Sequence, residues 1–372
     1  MTELNTFAQD IDQFVRTDVL PFLDTWEQEK HYPIRKLIAT LGQRQVFARC
    51  FLTDQDAPQR YQYNRILHER LAYLPSGILG SCINNHLDAA LSLLANHAKG
   101  EQGMAWRNDC VQGRRVITLA STESQTGSDI GEIKTAAMEQ GGGYRLNGSK
   151  WFISNATIAD AFCVLARTGT GKGVFDFSLF LVPSASAGVS VEMLDTLGMR
   201  AGTIGAVRFE DVKVDASQLI GIKGMGVPLT LKQFEKERLS LAIRSRSHGL
   251  YHLDLLKTYL REDRLRAAGT RELGRIESRL AEHACELEKL RVFIDHVIDL
   301  RFRGKPVADL VASLKLQATR TTKSIAATLL QYVDDSALVE HGIAARFFRD
   351  AKAASMAGGS DEMMLTLISR TH

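Results

Sequence analysis

Nowhere in the 372 residues is there a run of eighteen apolar residues, which excludes a bilayer-spanning helix of the usual kind. The opening residues, Met1 to Thr6, carry neither a basic segment nor an apolar stretch, so a cytoplasmic location is expected rather than secretion. The five cysteines, Cys50, Cys82, Cys110, Cys163 and Cys285, are odd in number and form no CxxC pair. That pattern fits free thiols in a reducing compartment, not a disulfide framework. The ten histidines show no HExxH or other ligand spacing, so no metal site is expected. A net charge of only +3 neither demands nor excludes a polyanionic partner. The arginines follow no nucleic-acid-binding motif, and nucleic acid is not expected as a partner.

What remains is an ordinary globular composition, 45% apolar and 24% charged, long enough for two or three domains around a substantial core. Residues 1–115 read as helices. Ile11, Phe14, Val15, Val19 and Phe22 recur at helical spacing, as do Leu87, Leu91 and Leu94. Residues 116–222 change character to β-branched and alternating runs: Val116 to Leu119, Phe162 to Ala166, Phe177 to Val182 and Val207 to Phe209. Gly141-Gly142-Gly143 and Asn147-Gly148 are turn signals between them. From 223 to 372 the helical period returns. Helical domain, β-domain, helical domain is a segregated α+β arrangement.

Three segments of the β-region form an ordered set: Thr122-Glu123-Ser124-Gln125-Thr126-Gly127-Ser128-Asp129, then Gly148-Ser149-Lys150-Trp151-Phe152-Ile153-Ser154-Asn155, then Leu197-Gly198-Met199-Arg200 followed by Phe209-Glu210-Asp211-Val212-Lys213-Val214. Ser154-Asn155 taken alone would read as a hairpin turn. The ordered set resembles the acyl-CoA dehydrogenase family, whose fold it implies: an N-terminal helical domain, a middle β-domain and a C-terminal four-helix bundle. The resemblance implies bound FAD. It places Thr122 and Ser154 at the isoalloxazine ring and Phe152 packed on it, with Gly127 and Ser128 bringing backbone amides to a phosphate. The chemistry is consistent, because a flavin needs neutral donors at the edges where negative charge accumulates on reduction.

The last helical region carries Gln331-Tyr332-Val333, Arg349-Asp350-Ala351-Lys352 and Ala357-Gly358-Gly359-Ser360-Asp361-Glu362. This resembles the family's C-terminal segment, in which Tyr-Glu-Gly-Thr supplies the catalytic base. Gly358 stands at the position of that Glu. In Phe234-Glu235-Lys236-Glu237-Arg238-Leu239, Glu237 falls where isovaleryl-CoA and long-chain acyl-CoA dehydrogenases keep their base. The resemblance therefore implies Glu237 as base, with the Gly358 N–H still able to donate to the thioester carbonyl. On the helix from about Val227, the stripe Val227, Leu231, Phe234, Leu241 and Ala242 puts Arg238 mid-stripe, Glu237 at one edge and Glu235 at the other. Arg238 reads as a structural anchor.

The same comparison implies further cofactor contacts at Gln331 and Ser360 and, since Asp263 stands at the position of the family's Arg, at Arg264 one residue away as its substitute. The contacts of Arg264 and Gln331 would cross a subunit interface, and so a homodimer or homotetramer is expected. Here the pattern departs: Gly274 stands at the position of the family's Gln. Asp334-Asp335 replaces a Gly-Gly pair, and carboxylates there would repel a pyrophosphate. The expected substrate is an acyl thioester of CoA or of an acyl or peptidyl carrier protein. A carrier protein would meet a basic rim of Arg244, Arg246, His248, Lys257, Arg261, Arg264, Arg266, Arg271 and Arg275. In these departures the chain resembles specialised family members of polyketide and nonribosomal peptide clusters that oxidise hydroxyacyl or aminoacyl groups for extender units. The electron acceptor is either an electron-transfer flavoprotein or oxygen. Two functional classes fit: a flavoenzyme oxidising a thioester-linked acyl group, or a degenerate member acting as a scaffold or subunit.

Overall fold

The Thr2 hydroxyl accepts the Asn5 N–H at 3.3 Å and opens the first helix as an N-cap. In a computed structural model, residues 2–51, 58–125, 130–171, 173–261, 270–332 and 339–370 are described. The N-terminal helices are α1 (Glu3–Phe14), α2 (Leu23–Gln28), α3 (Ile34–Gln43), α4 (Val46–Cys50), α5 (Pro58–Ala72), α6 (Ile78–Asn84), α7 (Ser92–His97) and α8 (Gly100–Val111). Between α6 and α7 the chain winds as a π-helix over Asn85–Leu91. Phe22, expected in the apolar stripe, is instead exposed and stacks on Trp26. The period breaks there because α1 ends at Phe14 and a π turn followed by a 3₁₀ turn rotates the later residues outward.

The β-region holds β1 (Ile117–Ala120), β2 (Ala136–Gln140), β3 (Gly143–Ile153), β4 (Ala161–Arg167), β5 (Phe177–Pro183), β6 (Val189–Met193), β7 (Gly205–Asp215) and β8 (Leu219–Ile220). The strands form one sheet in the order β6-β7-β3-β2-β4-β5-β8, with β1 pairing parallel to β4. Gly141 and Gly142, both at positive φ, make the β2–β3 hairpin turn. Asn147-Gly148 is not a turn. It lies inside β3, where the register against β7 shifts. Gly148 sits at φ +142°, and a Cβ there would lie 2.6 Å from the Thr135 Cα, so the glycine serves a bulge with close backbone approach.

The C-terminal region consists of α9 (Gly226–Arg261), α10 (Thr270–Phe302), α11 (Ala308–Tyr332), α12 (Ile343–Met356) and a short α13 (Asp361–Ser369). The four longer helices pack as a bundle with a core including Leu239, Leu253, Leu287, Ile294, Leu314, Ile325 and Phe347. One sheet face packs with the N-terminal helices in a separate core, and the other face carries its own. Leu231, expected in the buried stripe of α9, is 46% exposed. The first turns of α9 rest on neighbouring elements through Val227, Leu229 and Thr230, all buried, which turns Leu231 away. Because α9 is about 54 Å long at 1.5 Å per residue, it serves both the sheet and the bundle.

Candidate active site

At its C-terminal end β3 leaves regular geometry. The register shifts between Lys150 and Ile153, and Phe152 and Asn155 sit at φ +56° and +63°. Non-glycine residues in that region carry about 1–2 kcal/mol of strain each. The result is an aromatic side chain 62% exposed on the sheet surface. Beside it, the Trp151 N–H donates to the Thr122 carbonyl at 2.9 Å. The hydroxyls of Thr122 and Ser154 make no hydrogen bond among the described residues. An exposed aromatic face flanked by two neutral, unengaged donors fits the ring of a flavin, and the residues present on this side suit the cofactor.

The surroundings are fixed by a buried ion pair. Lys150 Nζ donates to Glu123 Oε1 at 2.9 Å and to the Ser121 carbonyl at 3.1 Å. Glu123 also accepts from the N–H groups of Lys134 and Thr135 and from the Thr135 hydroxyl. Burial brings Lys150 down to about 8 despite Glu123. Burial pushes Glu123 up, but Lys150 and these donors outweigh it and hold the carboxyl below its ordinary value. Thus Glu123 and Lys150, present in the sequence motifs without an assigned role, lock Thr122 against the strand that carries Phe152.

Glu237 and Gly358 meet. Gly358 lies between α12 and α13 at φ +63°, and a Cβ placed on it would be 4.0 Å from the Glu237 carboxyl carbon and 3.3 Å from Arg238 Cγ. Arg238 Nε donates to the Gly358 carbonyl at 2.8 Å, so Arg238 anchors this loop to α9. Lys315 Nζ holds the Ser355 and Gly359 carbonyls at 2.7 and 2.6 Å. The Gly358 N–H itself makes no hydrogen bond among the described residues. Asp350 joins the three regions: it accepts from the Gly77 and Met199 N–H groups at 2.9 and 2.6 Å. Burial raises it to about 6, against the pull of those two donors.

The two candidate carboxylates of α9 differ. Glu235 pairs with Arg301 at 3.0 Å. Glu237 makes no hydrogen bond or ion pair among the described residues, and although it keeps some accessible surface, its carboxyl is set among enough protein atoms for burial to dominate. Burial raises it above the ordinary carboxylate range; Arg244 and Arg238 oppose this, and Asp88 adds to it.

Part of the expected basic rim is interior. Arg244 and His248 are buried, and Arg246 donates to the Leu287 carbonyl from a half-buried position. Lys257 pairs with Asp254. Counting cations along α9 does not reveal that one face of the helix is interior. Arg264, Arg266 and Arg271, together with Gly127, Ser128 and Asp334-Asp335, lie outside the described residues or have undescribed side chains. Gln331 is exposed near the end of α11, about 24 Å along that helix from Lys315, so it is not brought to Glu237 within one subunit. Ser360 is in the Gly358 loop, where its hydroxyl accepts the Met363 N–H as the N-cap of α13.

Sequence reading missed a buried polar cluster behind Glu237. Asp88 accepts from His68 Nε2 at 2.6 Å, Asn64 Nδ2 at 2.8 Å and the Ser240 hydroxyl at 3.1 Å. Arg244 stands beside it. The seven-residue spacing from Glu237 to Arg244, two helical turns, was the available signal. A shallow apolar hollow of about 650 Å³ on α10, lined by Cys285, Val292 and Phe293 among others, touches none of these groups.

A family model described as acyl-CoA dehydrogenase, middle domain, matches residues 118–212, and one described as acyl-CoA dehydrogenase, C-terminal domain, matches residues 224–372. The chain is similar to a short-chain-specific acyl-CoA dehydrogenase of Clostridium acetobutylicum, 23% identical over 99% of this chain and 97% of that one. It is similar to an isovaleryl-CoA dehydrogenase of Oryza sativa, 24% identical over 98% of this chain and 90% of that one. A crystal structure of an acyl-CoA dehydrogenase from Geobacillus kaustophilus superposes with a TM-score of 0.90 at 27% identity, covering 100% of this chain and 98% of the other.

Removing the aromatic face gives a direct check of the ring site. Phe152→Ala is expected to raise the FAD dissociation constant about ten-fold or more, since covering a Phe contributes about 1.5–3 kcal/mol, and to leave the thermal midpoint of the apoprotein unchanged. Fluorescence titration with FAD and thermal unfolding of the apoprotein read the two separately.

Proposed function

The chain belongs to the acyl-CoA dehydrogenase family, and from that premise we propose that it dehydrogenates an acyl-CoA thioester, with Glu237 as the base that removes the α-proton. Bound FAD supplies the acceptor for the hydride that leaves the β-carbon. The observation that carries the assignment is the convergence of Glu237 and Gly358. The carboxyl carbon lies 4.0 Å from where a side chain at 358 would begin, so Glu237 reaches the space that a Glu at 358 would use. Its lack of a hydrogen-bond or ion-pair partner among the described residues supports the role: Glu235, on the same helix, is paired. Burial favours the protonated carboxyl and increases its basicity once ionised.

Other groups of the chain hold the substrate. Among the described residues the Gly358 N–H has no partner; the carbonyls of Gly358 and Gly359 are held by Arg238 and Lys315, and this N–H can donate to the thioester oxygen as charge develops there. That donor needs no side chain, which is why a Gly at 358 removes a base without removing the contact. A CoA thioester is the substrate class we infer. With Arg244, Arg246 and His248 drawn into or against the protein, a carrier-protein thioester has less support. The acceptor typical of the family is an electron-transferring flavoprotein, and we infer the same here, in a homodimer or homotetramer.

The pH dependence tests the base. A base acts ionised, so kcat/KM rises with pH through its pKa. Because the Glu237 carboxyl is raised, the acid limb is expected above the ordinary glutamate value of about 4.3. It should be measured as the rate of flavin bleaching by butyryl-CoA. A profile that stays flat down to pH 4, below the ordinary glutamate value, with fast bleaching throughout, would remove Glu237 from this role. A purified protein that binds no FAD would instead favour the scaffold alternative.

A further inference from the structure

Arg244 is a buried guanidinium with no direct partner among the described residues, its charge supported only by the longer-range pull of Glu237 and Asp88. It is 6% exposed, yet it makes no hydrogen bond and no ion pair among the described residues. Its Nε is enclosed without a partner. A buried arginine brought only down to about 10 by burial is still charged near neutrality, and such a charge is strongly unfavourable unless paired.

The neighbouring acids attract it without bonding to it. Asp88 is already engaged by His68, Asn64 and Ser240. The Cys82 thiol, pushed by burial up to about 12, is neutral. Glu237 is two helical turns away, about 10.5 Å along α9 and about 20° around it, and forms no ion pair with it. The fold also makes room for this side chain: a Cβ on Gly80 of α6 would come within 3.1 Å of the Arg244 Cδ. On its other side α6 is tied to the end of β3, because Asn155 Nδ2 donates to the Cys82 carbonyl at 2.8 Å. Arg244 therefore stands on the Glu237 face of α9, two turns on, against the helix that abuts the end of β3.

We propose that Arg244 recognises a carboxylate at the far end of the acyl group, so that the preferred substrates are CoA monothioesters of short linear dicarboxylic acids. This rests on the reading of Glu237 as base: with the α-carbon at Glu237, a chain lying along the same helix face carries its ω-end toward the guanidinium. A guanidinium pairs with a carboxylate in a bidentate, charge-assisted geometry. A methyl end placed there leaves the buried charge unpaired, which sets the discrimination.

The test measures binding before turnover. Dissociation constants of succinyl-, glutaryl- and adipyl-CoA are compared with those of butyryl-, valeryl- and hexanoyl-CoA on the FAD-loaded protein and on Arg244→Met and Arg244→Lys. The parent protein is expected to favour at least one dicarboxylyl thioester over its methyl-ended counterpart by ten-fold or more. Arg244→Met should collapse that ratio to near one, and Arg244→Lys should leave it intermediate. A thermal midpoint for Arg244→Met equal to or above that of the parent is also expected, because removal of an unpaired buried charge relieves the fold. A ratio near one in the parent, or one that survives in Arg244→Met, overturns the proposal. Flavin bleaching on the same series separates the two readings: discrimination in binding without bleaching by any acyl-CoA keeps Arg244 and removes Glu237 as base, whereas bleaching without discrimination does the reverse. A uniform loss across both series in Arg244→Met points to an electrostatic effect on Glu237 alone and also overturns recognition.

Discussion

Glu237→Gln is expected to slow reduction of the flavin by an acyl-CoA at least 10²-fold, the scale on which a positioned general base contributes, while FAD remains bound. Gln keeps the length, the planar head and the hydrogen-bonding capacity of Glu and removes only the basic oxygen. Among the described residues the side chain has no hydrogen bond or ion pair to lose, but Arg244 and Arg238 lose the attraction of its charge, so the variant is expected to fold with a thermal midpoint close to the parent's. Glu235→Gln is the matched control on the same helix. It breaks the half-buried contact with Arg301, a pair of the kind that contributes about 0–1 kcal/mol, and should leave the bleaching rate within about two-fold. Stopped-flow absorbance near the flavin maximum distinguishes the two variants directly. If Glu237→Gln bleaches as fast as the parent, the base is elsewhere, and the convergence of positions 237 and 358 has a packing origin only.

The largest effect on stability is expected at Lys150→Met. Lys150 is fully buried and its ammonium is held by Glu123 and the Ser121 carbonyl. Removing it leaves Glu123 with its backbone donors but no counter-charge, and breaking a buried pair in this way costs about 3–5 kcal/mol. The loss should be felt locally first. Ser121 and Glu123 flank Thr122, so the strand–loop contact beside Phe152 loosens and FAD retention falls with stability. Combining Glu123→Gln with Lys150→Met should recover part of the loss, since the orphaned charge is gone, and the coupling between the two sites isolates the pair. Unfolding midpoints of the four proteins at one FAD concentration give the cycle. A double variant no more stable than Lys150→Met alone would show that the lysine acts through the Ser121 carbonyl, not through Glu123.

Much of the candidate site was legible because it is local. Thr122, Phe152 and Ser154 lie in short segments whose spacing is set by one strand and one loop, and the two glycines of the β2–β3 turn announce it by the positive φ that the turn requires. The same local requirement misleads at Asn147-Gly148: a bulge and a turn both call for an unusual φ, and only the strand partner tells them apart. The helical period likewise fixed which residues of α9 share a face, Glu237 with Arg244 among them, because 3.6 residues per turn is a property of the backbone.

What the period cannot supply is the neighbour that each face meets. Gly358 and Glu237 are 121 positions apart, and their meeting depends on Lys315 and Arg238 holding a loop between two other helices. Nor does the sequence distinguish an arginine on a wet helix face from one enclosed against Gly80; linear charge is the same in both, and burial is decided by tertiary packing. The sequence by itself therefore determined the three-part organisation and singled out the segments proposed for the flavin ring, which follow from hydrogen-bonding and apolar patterns a few residues long. Tertiary structure alone decided that, among the described residues, Glu237 has no hydrogen-bond or ion-pair partner while Glu235 has one, and that Arg244 is a buried charge, since both are properties of what long-range packing brings near and what it keeps away.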